Sequence, residues 1–337
     1  GGAIYKWPGK VIDALSIVGT VFGIAVSVGL GVLQINSGMA KVFGAPTVAW
    51  MQIAIIVVIV GVSCLSVAAG LEKGIKLLSN INVLMAAALM LFVLAVGPTL
   101  FLLRGTLDSV SIYAEWLPKL MFWSDSMEVN PGWQGMWTVF YFAWTICWSP
   151  FMGMFAARIS RGRTLREFVI AAITIPVLCD LVMVSLFGNS AIYEAVFQNN
   201  TEFGDHALES PEQGWYALLE MFPGAMLLVG LATLSGLLFY LTSANSGAMV
   251  MSNFSSSIPD PGEDGPKWLR IFWAIVTAVL TIAMLMAGGV VTMEYATLIF
   301  ALPVTVVAYL VMFSFSRALR MERVTARATH AVAAARH

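Results

Sequence analysis

Apolar residues gather in eight long runs, at roughly 10–35, 47–70, 80–103, 134–157, 168–190, 223–246, 268–288 and 293–317. Each is long enough, as a helix rising ~1.5 Å per residue, to cross about 30 Å of hydrocarbon. The runs are too long and too uniform for barrel strands. A backbone in lipid must also close its own hydrogen bonds, so the pattern predicts eight transmembrane helices. The fold class read from it is an all-α polytopic membrane protein.

The polar residues between the runs are spread unevenly. Taking the Arg-rich loop 158–167 as cytoplasmic and alternating sides from there, fifteen of the 18 Lys and Arg fall on the cytoplasmic side. Lys41, Arg104 and Lys119 fall on the other. Both termini then come out cytoplasmic. Segment 104–133 contains SIYAEWLPKLMFW, aromatics and aliphatics mixed with charges, and predicts an interfacial helix on the outer surface. Segment 191–222 carries Glu194, Glu202, Asp205, Glu209, Glu212 and Glu220. It reads as a solvated acidic loop, with weak attraction of cations to an outer vestibule as the functional alternative. The basic tail 317–337 fits the positive-inside bias and carries no site.

Composition narrows the function classes. Of 337 residues, 59% are hydrophobic and 11% charged, with mean hydropathy +0.85. This excludes an ordinary cytosolic enzyme and a disordered chain. A net charge of -1 leaves no surplus basic surface for nucleic acid. Cys64, Cys147 and Cys179 form neither a disulfide framework nor a zinc spacing. His206, His330 and His337 all lie outside the apolar runs. No catalytic residue and no enzyme activity are expected, and no pore-lining ring of charges marks a channel.

The chemistry concentrates in 137–168. Trp137, Tyr141, Trp144, Trp148 and Phe151 recur at helical spacing on one face. Indole faces attract quaternary ammonium cations through the ring quadrupole; the alternative is a packing stripe against neighbouring helices. Pro150 frees the carbonyl of Ile146, which in transporters can face substrate or ions. Asp180 is a carboxylate within a span, so it is either functional or buried and bonded to Ser185 or Thr174. Gly19 and Gly23 fit a close-packing helix face.

The run from Trp137 to Phe168, WTVFYFAWTICWSPFMGMFAARISRGRTLREF, resembles the signature of the betaine/choline/carnitine transporter family. Ile12–Ile35 resembles that family's fifth span, Glu72–Asn82 its cytoplasmic turn before the seventh, and Leu241–Ser246 (LTSANS) its tenth-span motif. The resemblance implies the C-terminal eight spans of a leucine-transporter-type inverted-repeat fold. Residues 1–103 would hold the last three spans of the first repeat and 134–317 the five of the second. Residues 104–133 would be the outer interfacial helix and 318–337 the cytoplasmic tail. Two peripheral spans and the first two core spans, which carry much of the family's aromatic box, are then expected to be missing.

It also implies roles. Trp144 and Trp148 match tryptophans at or beside the substrate cation, in company with Tyr141, Thr145, Cys147 and Phe151. Thr145 stands where the family has a ring, which leaves room for a smaller or more polar zwitterion. Thr242 and Ser243, with Phe239 nearby, match sodium ligands. Thr20 and Phe151 match a second sodium position, but Ile24 replaces its other threonine, so one coupling Na+ is expected and no further metal or cofactor. Asn245 stands where the family often has Asp. Arg158, Arg161, Arg163 and Arg166 match a cytoplasmic loop that sets topology and forms inner-gate salt bridges, with Glu167 or Glu72 as partners. The implied function is secondary active transport of a quaternary-ammonium or betaine-like solute by alternating access, coupled to sodium. The alternatives are sodium-independent exchange of quaternary amines and a non-transporting membrane fragment or scaffold. The implied partners are a small zwitterionic or cationic solute, the lipid bilayer and, through 104–133, two further copies in a homotrimer.

Overall fold

The computed structural model describes residues 6–69, 72–127, 129–257 and 264–334, the side chains of 69, 72–76 and 323–334 excepted. Helices are the only regular elements among them. In chain order they are α1 (Trp7–Phe43), α2 (Ala49–Ala69), α3 (Glu72–Val96), α4 (Thr99–Met121), α5 (Phe140–Ile159), α6 (Leu165–Ile192), α7 (Thr201–Glu209), α8 (Pro211–Glu220), α9 (Ala225–Phe254), α10 (Lys267–Gly288) and α11 (Val290–Ala334). A π-helical turn, Gln134–Val139, leads into α5, and another, Tyr193–Phe197, extends α6. All eight predicted spans are present as helices long and apolar enough to cross a membrane.

Helix α1 is the axis of the bundle. Within its most apolar window 72% of residues are buried, against 11–28% in the other seven spans. Small residues explain this position. Gly31 admits the ring of Tyr240 from α9, and Gly247 of α9 admits Ile24 of α1. These two contacts set α1 and α9 antiparallel at close range. Around them pack Val21, Val28, Val32 and Ile35 of α1 with Ile55, Ile56 and Ile59 of α2 and Leu241 and Met251 of α9. Buried polar pairs join further spans: Ser63 of α2 donates to Asn245 of α9, and Ser235 of α9 donates to Asn82 of α3 at 2.6 Å.

Two boundaries differ from the pattern reading. The third run divides at Gly97–Pro98, and the helix expected from 104 already starts at Thr99. Proline has no N–H to continue the ladder and restricts the residue before it. The acidic segment 191–222 is helical rather than a loop. Asn200 caps α7 by accepting from Phe203 N at 3.1 Å, and Pro211 opens α8. Phe203, Tyr216, Leu218 and Leu219 bury against Leu89, Val93 and Leu102. Glu220 pairs with Lys41 at 2.7 Å, fastening this cover to the end of α1.

Candidate functional site

The site is built on α5, whose buried stripe is Phe140, Ala143, Cys147 and Phe151. That spacing turns one face to α1 and α11. The helix runs through Pro150, and the carbonyl that proline frees is taken up locally: Ser149 Oγ donates to Ile146 O at 2.7 Å. One of that oxygen's two lone pairs is thereby engaged within α5. Trp144 and Trp148 flank the stripe half-buried, and their indole N–H groups converge on one acceptor. Trp144 donates to Gly23 O at 3.2 Å and Trp148 at 3.1 Å. Trp148 also lies 3.1 Å from Ser27 Oγ, and that hydroxyl donates to the same carbonyl at 2.9 Å. A Cβ on Gly23 would stand 3.0 Å from Trp148 Cδ1 and 3.2 Å from Cys147 Cβ, so any larger residue there would force α5 or the Trp148 ring to give by a few tenths of an ångström. Gly19 likewise lets the Val304 side chain in.

Three of the six predicted substrate residues, Trp144, Cys147 and Trp148, thus meet α1, and Phe151 is buried on the same face. Phe140 stacks on Trp144 at 5.6 Å, Phe151 meets Trp148 edge-on at 5.3 Å, and Cys147 Sγ lies 3.7 Å from Thr297 O. Tyr141 and Thr145 are exposed instead, and the Thr145 hydroxyl bonds back to Tyr141 O at 2.8 Å.

Tyr141 belongs to a cleft of about 420 Å³ at the end of the bundle covered by α8. Trp137, Phe140 and Tyr141 form one wall, and Gln34, Tyr240, Glu212 and Glu294 complete it. The Trp137 and Tyr141 rings stack at 5.8 Å, 6° apart. Gln34 and Tyr240 also line an adjoining cleft of about 360 Å³ with Ser235, Phe239 and Ser243. Sequence reasoning missed Gln34, Tyr240 and Glu294 as site residues. The available signal was a carboxylate and an amide inside apolar runs.

The predicted ion ligands separate. Phe239 and Ser243 share the second cleft, whereas Thr242 Oγ donates within its own helix, 2.9 Å from both Leu238 O and Phe239 O. Thr20 is elsewhere: the Ile24–Gly247 and Gly31–Tyr240 contacts level Thr242 with residue 29 of α1, nine residues or about 13 Å along the axis from Thr20. Thr20 is fully buried and its hydroxyl has no protein partner, a state that costs about 1–3 kcal/mol unless something supplies one.

Asp180 is not bonded to Ser185 or Thr174. Its side chain is exposed and lines a cleft of about 400 Å³ between α4 and α6 with Ser109, Tyr113 and Ser185. The buried alternative for Asp180 fails because α6 presents most of its surface outward. Arg158 pairs with Asp264 rather than Glu167. Glu167 instead caps α6, accepting from Thr164 N and Oγ1 at 3.0 Å each. Glu72, Lys73 and Lys76 lie outside the described side chains, as do Arg323 and Arg327, while Arg336, His337 and the tail's last residues lie outside the described chain. Arg161, Arg163 and Arg166 are exposed on the loop and first turn of α6.

Residues 1–324 match the betaine/carnitine/choline family of transporters. The chain belongs to that family. It is 44% identical over 97% of its length to an ectoine/glycine betaine/proline transporter of Corynebacterium glutamicum, covering 53% of that protein. It is 42% identical over 93% of its length to an osmo-dependent choline transporter of Acinetobacter baylyi, covering 46% of it. A high-affinity choline transport protein of Escherichia coli is 40% identical over the same share of this chain, 46% of its own length being covered. The chain spans about half the length of the curated relatives it matches.

Proposed function

We propose that the protein moves a betaine- or choline-like solute across the cell membrane by alternating access, coupled to sodium, with the Arg158–Arg166 loop on the cytoplasmic side and both ends of the chain on that same side. Family membership and the printed substrates of the relatives support the class of solute. The observation that carries the reading is the outer cleft, where Trp137, Phe140, Tyr141 and Tyr240 stand with Glu212 and Glu294. Aromatic faces and carboxylates together suit a small organic cation, at about 2 kcal/mol per desolvated cation–π contact. Below it, Trp144 and Trp148 stand fixed by their N–H groups, so neither ring must reorganise to receive a cationic head.

The orphan hydroxyl of Thr20 supports a sodium position at that point of α1, since hydroxyl oxygen suits a hard cation. Ser243 and Phe239 are the candidates for a second one. The exposed apolar side chains of α4, Leu103, Leu107, Ile112 and Trp116 among them, are where copies in a trimer would meet.

The test is uptake of labelled betaine and choline into proteoliposomes by the full-length gene product, with and without an inward sodium gradient. Saturable uptake that needs the gradient is expected; no uptake of either solute would end the reading. Ile24 favours a second version, sodium-independent exchange, because it puts an aliphatic side chain where the resemblance calls for an oxygen. Counterflow undiminished in sodium-free buffer would select that version.

A further inference from the structure

Helices α1, α2 and α9 enclose a groove of about 520 Å³. It shares no residue with the clefts that hold Tyr141 and Ser243. Its walls come from residues 35–43 at the end of α1, 51–58 at the start of α2 and 230–237 of α9. Each stretch advances about 10–12 Å along its helix. One leaflet of hydrocarbon, half of about 30 Å, is only slightly deeper. The groove lies at the end of α1 where Lys41 meets Glu220. Trp50, exposed at the head of α2, marks the interfacial level there. Ile35 and Ile55 are buried at its back, while Val58 of α2 and Leu234 of α9 stand exposed along its rim. It therefore opens sideways between two spans, toward lipid.

Its chemistry turns away a polar ligand. Among the described lining side chains Thr233 alone carries an oxygen, and that hydroxyl donates to Val229 O of its own helix at 2.7 Å. The others carry no nitrogen or oxygen, so the groove can recognise only shape and apolar surface. Met39 of α1 and Met51 of α2 supply unbranched side chains that adapt to a flexible occupant. Gly230 widens the space: a Cβ there would meet nothing within 4 Å. A void of this size would cost its lining the dispersion contacts that a filled one makes, and the medium around these spans is hydrocarbon.

We propose that this groove binds one acyl chain of a bilayer phospholipid, in the leaflet on the α8 side. The ester end lies at the level of Trp50, and the chain runs inward toward Ile35, Val58 and Leu237. The lipid is then a fixed component that completes the packing of α2 on α9. This goes beyond the transport reading and needs neither the solute nor the ion to be assigned.

The experiment places the full-length protein in phosphatidylcholine liposomes doped with a phosphatidylcholine that carries a diazirine in one acyl chain. After photolysis the labelled residues are read by mass spectrometry. Met39, Met51 and Leu237 are expected to label several-fold more than Met286, which is exposed on α10 just beyond its Thr281–Ala25 contact with α1. Groove labelling should saturate as the probe fraction rises, whereas Met286 labels in proportion to it. Gly230→Phe, which puts a ring into the open space, should cut groove labelling several-fold and leave Met286 unchanged; Gly230→Ala should keep it. Groove labelling no higher than that of Met286, and proportional to the probe, would overturn the site and leave only surrounding lipid. Unlabelled groove residues would overturn it too, since another segment of the full-length protein would then cover them, as would full labelling in a folded Gly230→Phe. Saturation is read on the unaltered protein, so it decides the matter even where the phenylalanine variant does not fold.

Discussion

Two residues bear the closest scrutiny, Gly23 and Thr20, because each sets a feature that its neighbours cannot supply. Gly23 offers both its missing side chain and its carbonyl to α5. Gly23→Ala places a methyl 3.0 Å from Trp148 and 3.2 Å from Cys147, which pushes α5 outward and stretches both indole hydrogen bonds together. Overpacking of this kind costs about 1–3 kcal/mol. The expected outcome is a loss of melting temperature in detergent and a loss of uptake of about tenfold or more. A variant that transports normally would show that the indole anchors do not matter. Thr20 separates two opposite signs. If its hydroxyl waits for sodium, Thr20→Val raises the sodium concentration for half-maximal uptake by about tenfold, while Thr20→Ser does not. Stability without sodium should hold or rise in the valine variant, since a buried unpaired hydroxyl is removed. A clear loss of stability in sodium-free buffer would mean the hydroxyl has a structural partner after all.

Among the elements, the short strap before α10 that holds Asp264 carries a pH dependence with a definite sign. Partial burial opposes its charge, but hydrogen bonds and attraction from Arg158 and Arg270 outweigh that, holding the carboxyl below its ordinary value of 3.8. Among the described residues the charged groups facing it are Arg158 from α5 and Arg270 from α10, and Lys267 lies on the same strap. A group with a lowered folded pKa contributes stability that is complete above the unfolded value and is lost as pH falls through the folded one. The protein should therefore lose melting temperature on acidification from about pH 5 to pH 3, and Asp264→Asn should be less stable at pH 7 with a flatter profile. Parallel profiles would remove the carboxylate from the account. The elements themselves were largely legible in the sequence, for reasons the strap illustrates by contrast. Runs of apolar residues announce a span because lipid enforces one rule over some twenty positions. An ion pair between residues 158 and 264 leaves no such trace, so the sequence offers Glu167 or Glu72 as partners for the Arg loop and not Asp264. The α7–α8 cover differs from the loop expected for a similar reason: its five carboxylates outweigh a short apolar stripe, Phe203 to Leu219, that only a tertiary partner makes meaningful.

On the scale of the whole molecule, α1 ties the two cleft regions to the ion-ligand candidates because every other functional helix leans on it. The indole-bearing face of α5 could be picked out from 137–168 alone. The cleft above it could not, since Gln34, Glu212, Tyr240 and Glu294 come from four helices far apart in sequence and share no spacing. That cleft makes a prediction about selectivity. On the proposed function its two carboxylates and its aromatic wall meet the solute together; the carboxylates' field acts on net charge, whereas ring faces act on the ammonium head alone. Choline carries a full positive charge and betaine is a zwitterion with the same head. Glu212→Gln combined with Glu294→Gln should therefore weaken choline more than betaine, raising the choline KM by about tenfold and the betaine KM by about threefold or less at low ionic strength. Tyr141→Leu should instead weaken both alike, because it removes a ring that both heads would use. The difference between the solutes in the double Gln variant should shrink in high salt, where an exposed carboxylate is screened over about 8–10 Å or less. Equal losses for choline and betaine in the double Gln variant, unchanged by salt, would place these carboxylates outside the path the solute follows.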